Sequence, residues 1–126
     1  MKASFDATGE VLIVTGGARG IGAAAARAYA EAGGHAYVLD VAPSEEFATD
    51  AGAEQVAGAL ADDDALHPGV TQLAVDVADR DAVRAAVAEI AGRHGRIDGL
   101  IAGAAVQPRT PLVEMDPEEW RGTLDR

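Results

Sequence analysis

Three glycines, Gly16, Gly20 and Gly22, stand in the octet Thr15-Gly16-Gly17-Ala18-Arg19-Gly20-Ile21-Gly22, directly after the apolar run Val11-Leu12-Ile13-Val14. Glycine takes backbone angles that other residues avoid and lets a ligand come close to the main chain. If the apolar run is a buried strand and a helix follows the octet, the first N–H groups and the positive end of that helix face the loop. That arrangement suits a phosphate. Asp40 closes a second apolar stretch, 18 residues beyond Gly22. A dinucleotide-binding fold places the acid that holds the ribose hydroxyls at about this distance. A glycine-rich turn that only packs a helix against a sheet accounts for one of these glycines, but poorly for three.

The rest of the chemistry-bearing inventory is sparse. His35, His67 and His94 fall on a strand start, a loop and a helix end, with no pair at metal-ligand spacing. Asp62, Asp63 and Asp64 form an acidic run without further ligands at an EF-hand spacing, so the expectation is a solvated turn. There is no G-x-x-x-x-G-K-[S/T] segment, and Ser4 and Ser44 belong to no nucleophile elbow. Cysteine is absent, which removes disulfide, iron–sulfur and thiolate-zinc chemistry.

These residues need elements to hold them. The continuous apolar run at 10–15 predicts a strand of a parallel sheet covered on both faces. A helix is expected from Gly20 to Ala32, with Ile21, Ala24, Ala25, Ala28 and Ala32 as its inner stripe and Gly33 as a left-handed stop. The second strand is His35 to Asp40. A weaker helix, capped by Ser44, is expected from Pro43 to about Leu60. A loop through Pro68-Gly69 leads to a third strand, Val70 to Val75, ending at Asp76. The next helix runs from Arg80 to Arg93, with Asp79 as cap, Val83, Val87 and Ile90 facing inward and Gly95 closing it. A fourth strand covers Ile97 to Ala102. The last helix has Asp116 as N-cap, Pro117 at its first position, Glu119 completing a capping box, and Met115 and Trp120 at staple spacing.

The glycine spacing G-x-x-x-G-x-G, preceded by Thr15, resembles the glycine segment of the short-chain dehydrogenase/reductase family, T-G-x-x-x-G-x-G. The resemblance covers the chain from Gly9 onward. It implies that Gly16, Gly20, Ile21 and Gly22 surround a pyrophosphate and that Arg19 stands beside the adenosine ribose. It also implies that Asp40 favours NAD, because a carboxylate accepts ribose hydroxyls and repels a 2′-phosphate. Arg19 pulls the other way, so NADP is the less favoured cofactor. Asp76-Val77 matches the pair that contacts adenine, with capping of the helix near Arg80 as the competing role for Asp76. After the fourth strand the family has Asn-Asn-Ala-Gly. Here Ala102, Gly103, Ala104 and Ala105 stand instead, so the amide that ties neighbouring strands is missing while main-chain approach to the cofactor remains open.

The family's Asn, Ser and Tyr-x-x-x-Lys catalytic set has no counterpart among these 126 residues. Tyr29 and Tyr37 are the two tyrosines, and neither is followed by lysine four positions later. No catalytic or metal-binding residue is assigned. The expectation is an α/β, Rossmann-type doubly wound parallel sheet, truncated after about four strands, with residues 1–126 forming one incomplete NAD(P)-binding domain. The complete protein would move a hydride between NAD and a secondary alcohol or ketone. The alternatives are a non-catalytic nucleotide-binding module and, with a poorer fit to the glycine spacing, a methyltransferase. Ten Lys and Arg against 21 Asp and Glu give a net charge of -11, which disfavours nucleic acid and anionic membrane as partners. With no signal core and no membrane-length apolar run, a cytoplasmic location is expected. An unpaired fourth strand is expected to promote self-association.

Overall fold

In the computed structural model, residues 4–41 and 68–125 are described. The helix expected from Pro43 to Leu60 and the acidic run Asp62 to Asp64 lie outside them. The elements are β1 (Val11–Thr15), α1 (Gly20–Glu31), β2 (His35–Asp40), β3 (Val70–Ala74), α2 (Arg80–His94), β4 (Gly99–Ala102) and α3 (Pro117–Leu124). All strand pairings are parallel, in the order β3-β2-β1-β4. Ile13 stands beside Tyr37 of β2 and Leu100 of β4. No helix among the described residues is long and apolar enough to cross a membrane.

The apolar runs are continuous because both faces of the sheet are covered. Val11, Ile13, Tyr37, Leu39 and Leu73 point to one face and pack with Ala86 and Ile90 of α2. Leu12, Val14, Ala36, Val38 and Val70 point to the other and pack with Ala23 and Ala26 of α1. The helix ends follow local chemistry. Gly33 (φ +91°) and Gly95 (φ +70°) take the left-handed conformation that stops α1 and α2. Asp79 accepts from the Asp81 and Ala82 amides at 3.1 and 3.0 Å, and Asp116 accepts from the Glu119 amide at 2.8 Å.

The structure corrects several details. The buried residues of α1 are Gly22, Ala23 and Ala26, with Tyr29 and Ala30 packed beside them. Ile21 is 89% exposed, and Ala24 and Ala28 are exposed too. In an alanine-rich helix, hydrophobicity marks no face. The rotation is set by backbone proximity instead, since a Cβ on Gly22 would lie 2.6 Å from the Gly16 carbonyl oxygen. In α2, Ala86 and Ile90 are buried, Val83 is partly buried, and Val87, expected to face inward, is exposed. At α3 the capping box is one-sided. Glu119 accepts from the Thr110 hydroxyl at 2.7 Å rather than reaching back to Asp116.

β4 begins at Gly99, two residues later than expected. Before it, the Asp98 amide donates to the Val11 carbonyl and the Asp98 carboxylate accepts from the Val11 amide, both at 2.8 Å. Arg96 holds the same carboxylate and, with the Val11 amide, keeps it below the usual aspartate range. Among the described residues β4 pairs only with β1, and Leu100 is 65% exposed.

Candidate functional site

The strands all end on one side, and there the glycine loop, Asp40, Asp76 and the loop after β4 surround a cleft of about 480 Å³. Its position outside the carboxyl ends of the strands, between β1 and its neighbours on either side, is where open α/β sheets place ligands. Of the residues singled out from the sequence, Gly16, Arg19, Gly20, Asp40, Asp76, Val77 and Gly103 line it. Ile21, Gly22 and Ala102 do not. Val41, Val75 and Val106 also line it without having been anticipated. The available signal was adjacency, since Val41 and Val75 flank the strand-end acids and Val106 follows the small-residue run.

The three glycines do different things. Gly16 (φ +65°) donates its N–H to the Leu39 carbonyl at 2.9 Å, and a Cβ there would strike the backbone of Gly103 and Ala104 at 2.6 Å. Gly22 is needed for the close approach of α1 to the loop. Gly20 (φ +58°) faces open space, with nothing within 4 Å of a built Cβ. Packing therefore explains Gly16 and Gly22, while Gly20 combines a left-handed turn with room for something beside it. Thr15 ties the two loops together. Its carbonyl accepts from the Gly103 amide at 3.1 Å and its hydroxyl from the Ala104 amide at 3.4 Å.

α1 differs from α2 and α3 at its start. Arg19 occupies the N-cap position, its side chain makes no capping hydrogen bond, and the first turn contains no acid. The leading amides of a helix have no intrahelical acceptor, so this end can receive an anion. Asp40 is braced by the backbone around it. Oδ2 accepts from the Ala18 amide at 3.0 Å and Oδ1 from the Val41 amide at 2.7 Å, while its own carbonyl accepts from Val75. An ionised carboxylate offers about four acceptor positions, so about two remain for a ligand. Asp76 does not cap α2. Asp79 does, and Asp76 Oδ1 instead accepts from the Ala78 amide at 3.0 Å, at the edge of the cleft.

Neither tyrosine serves this cleft. Tyr29 lies near the far end of α1 and donates to Glu10 Oε2 at 3.1 Å; burial, then the Glu10 carboxylate, pushes its phenol up to about 12. Tyr37 is fully buried, and its hydroxyl shares a 2.6 Å hydrogen bond with His94 Nε2. The histidine reading needs one addition. β2 and α2 bring the rings of His35, Tyr37 and His94 into one cluster, with centroid separations of 4.7, 5.3 and 5.5 Å, which spacing along the sequence does not reveal. Among the described residues no group of three or more His, Cys, Asp or Glu is placed to hold a metal ion.

A parallel sheet ordered 3-2-1-4, with a glycine turn leading into an uncapped helix and acids at the next two strand ends, defines an α/β protein of the Rossmann type. The short chain dehydrogenase family model matches residues 10–126, and the chain belongs to that family, whose cofactor is NAD or NADP. It is 39% identical over 120 residues to a D-threitol dehydrogenase of Mycolicibacterium smegmatis, covering 95% of this chain and 42% of the relative. It is 40% identical over 116 residues to a cis-4-hydroxycyclohexanecarboxylate dehydrogenase of Sinomonas cyclohexanicum, covering 91% and 42% respectively. The crystal structure of a glucose/ribitol dehydrogenase-type short-chain dehydrogenase/reductase from Brucella melitensis superposes with a TM-score of 0.75 at 24% identity, covering 98% of this chain and 47% of that one. The chain thus spans less than half the length of these proteins.

Proposed function

We propose that this chain is the dinucleotide-binding part of an NAD-dependent dehydrogenase whose complete form exchanges a hydride between the cofactor and a secondary alcohol or ketone. The observation that carries the reading is the convergence of the open turn at Gly20, the uncapped start of α1 and the carboxylate of Asp40 on one cleft. The glycine turn at Gly16 and Gly20, at the positive end of α1, holds the pyrophosphate. The remaining acceptor positions of Asp40 take the ribose hydroxyls, and Asp76 with Val77 borders the adenine. Gly103 and the alanines after it leave the main chain accessible to the second ribose. NAD, when bound, supplies the hydride acceptor. The names of the two relatives, both dehydrogenases of hydroxyl-bearing compounds, support the substrate class.

Asp40 supports NAD over NADP through like-charge repulsion of a 2′-phosphate, against the opposing pull of Arg19 at the mouth of the cleft. Calorimetric titration with NAD tests the reading on the wild-type chain and on Gly22→Val, which forces the loop away from α1. Saturable binding by the wild type and its loss in the variant are expected. No heat of binding to the folded wild-type chain at millimolar NAD overturns it. A second reading, a nucleotide-binding module without turnover, draws on the two tyrosines, both of which lie away from the cleft. Oxidation of secondary alcohols by the complete protein would decide between the two.

A further inference from the structure

Three ring side chains meet on the α2 face of the sheet, and none of them lines the cleft. Tyr37 of β2 is fully buried, and its hydroxyl shares a 2.6 Å hydrogen bond with Nε2 of His94, the last residue of α2. His35 precedes Tyr37 by two residues on the same face of β2. Its ring lies 4.7 Å from that of Tyr37 and 5.3 Å from that of His94, between centroids. Its Nε2 shares a 2.8 Å hydrogen bond with the hydroxyl of Thr71, the β3 residue in register with Tyr37. Elsewhere α2 meets the sheet through apolar contacts, with Ala86 and Ile90 against Ile13, Leu39 and Leu73. The end of α2 is therefore held by groups of a different chemistry from the rest of the helix.

Histidine is the side chain that ordinarily changes charge between pH 5 and 8. A neutral imidazole keeps one nitrogen as an acceptor, whereas an imidazolium donates from both and accepts from none. The first proton taken up by the pair has a place, because the carbonyl end of α2 favours a cation at His94. A second proton sets two like charges 5.3 Å apart beside an apolar core, where they repel. The other groups described around the pair do not relieve this. β1 presents Val11 and Ile13, and β3 presents Thr71 and Leu73, none of them ionisable. α2 carries Glu89 and Arg93 in its last two turns, and their charges have opposite signs. Beyond α2, Arg96 and Asp98 pair with each other, and Glu10 accepts from Tyr29 on the opposite face of the sheet. We infer that His35, Tyr37 and His94 form a proton-sensitive latch, which holds the end of α2 against β2 while at most one histidine is charged and releases it when both are. The latch is independent of the cofactor reading, since its groups stand apart from the cleft.

Amide exchange of the full chain tests the inference. It is followed from pH 7.5 down to the pH at which ring-proton NMR shows both His35 and His94 charged, with rates corrected for the intrinsic effect of pH. Exchange at residues 90–95 should quicken by roughly tenfold or more as the second ring takes its proton, while residues 20–31 of α1 keep their protection. His94→Gln and His35→Gln each leave a single imidazole in the cluster and should abolish the quickening. The wild-type profile stands by itself if either variant fails to fold. Three outcomes overturn the inference. The first is a wild-type chain with both rings charged and residues 90–95 as well protected as before. The second is protection lost in α1 at the same pH as at the end of α2, which is unfolding of the whole sheet. The third is a quickening that persists in both glutamine variants.

Discussion

Asp40→Asn separates two jobs that one carboxylate performs. Oδ2 and Oδ1 hold the Ala18 and Val41 amides at 3.0 and 2.7 Å, and the same group faces the cleft. Asparagine keeps the shape and one acceptor oxygen but removes the charge and the second acceptor. A hydrogen bond to a charged group contributes about 1.5–3 kcal/mol and a neutral one about 1 kcal/mol. Losing one bond and weakening the other should therefore cost roughly 2–5 kcal/mol of stability, more of it at the Ala18 amide, since Ala18 is 4% exposed. The selectivity effect is separate. A 2′-phosphate charge about 5 Å from a carboxylate is opposed by about 1–3 kcal/mol at effective dielectrics between 80 and 20. Removing that repulsion should raise NADP affinity relative to NAD by roughly 5- to 150-fold. Parallel calorimetric titrations with NAD and NADP read the ratio, and urea unfolding reads the stability. An unchanged ratio beside a clear stability loss would refute the cofactor role and leave Asp40 as a brace for the glycine loop.

Gly20→Ala places a side chain at φ +58° in open space, so it should fold with a loss of roughly 1–2 kcal/mol in urea unfolding and a larger proportional loss in NAD affinity. Asp98 has its pKa lowered by Arg96 and the Val11 amide, so its contribution to stability is present above the ordinary aspartate pKa and is lost as pH falls through the lower folded value. Unfolding followed from pH 6 to pH 2.5 should show that loss in the wild type and a flatter profile in Asp98→Asn. The raised phenol of Tyr29 has the opposite sign: its contribution is intact below about pH 10 and is lost between there and about 12. Ultraviolet difference titration should show that late ionisation, and Tyr29→Phe should remove it. The 126-residue chain alone should show no NAD-dependent oxidation of secondary alcohols in a spectrophotometric assay, because no tyrosine reaches the cleft.

The backbone plan was legible where a single residue type has a single physical reason to be present. Gly33 and Gly95 mark left-handed helix stops, Asp79 and Asp116 cap, and unbroken apolar runs announce a two-sided parallel sheet. The cleft was legible for the same reason, since acids at strand ends and glycines at the first turn converge whenever the strands are parallel. The rotation of α1 was not legible. Alanine is tolerated on either face, so only the contact between Gly22 and the Gly16 carbonyl settles which side turns inward. The Tyr37–His94 bond joins residues 57 apart in sequence, and no local pattern records that pairing. Glu119 had two acceptable partners, and the choice of Thr110 depends on where the preceding loop runs.

The strand order carries a consequence for how the chain is made. β1 is synthesised first and sits inside the sheet, yet one of its two neighbours is β4, and the Asp98–Val11 bond closes a separation of 87 residues. On the ribosome, β1 and β2 can pair early, but the other flank of β1 stays open until residues 99–102 have cleared the exit tunnel. Through that interval the buried apolar run Val11 to Val14 presents an unpaired flank. Long-range closure of this kind is slow, and a half-made sheet is the species most exposed to wrong partners. The yield of folded protein should therefore depend on translation rate and on chaperones that shield a nascent strand, more than on the stability of the finished sheet.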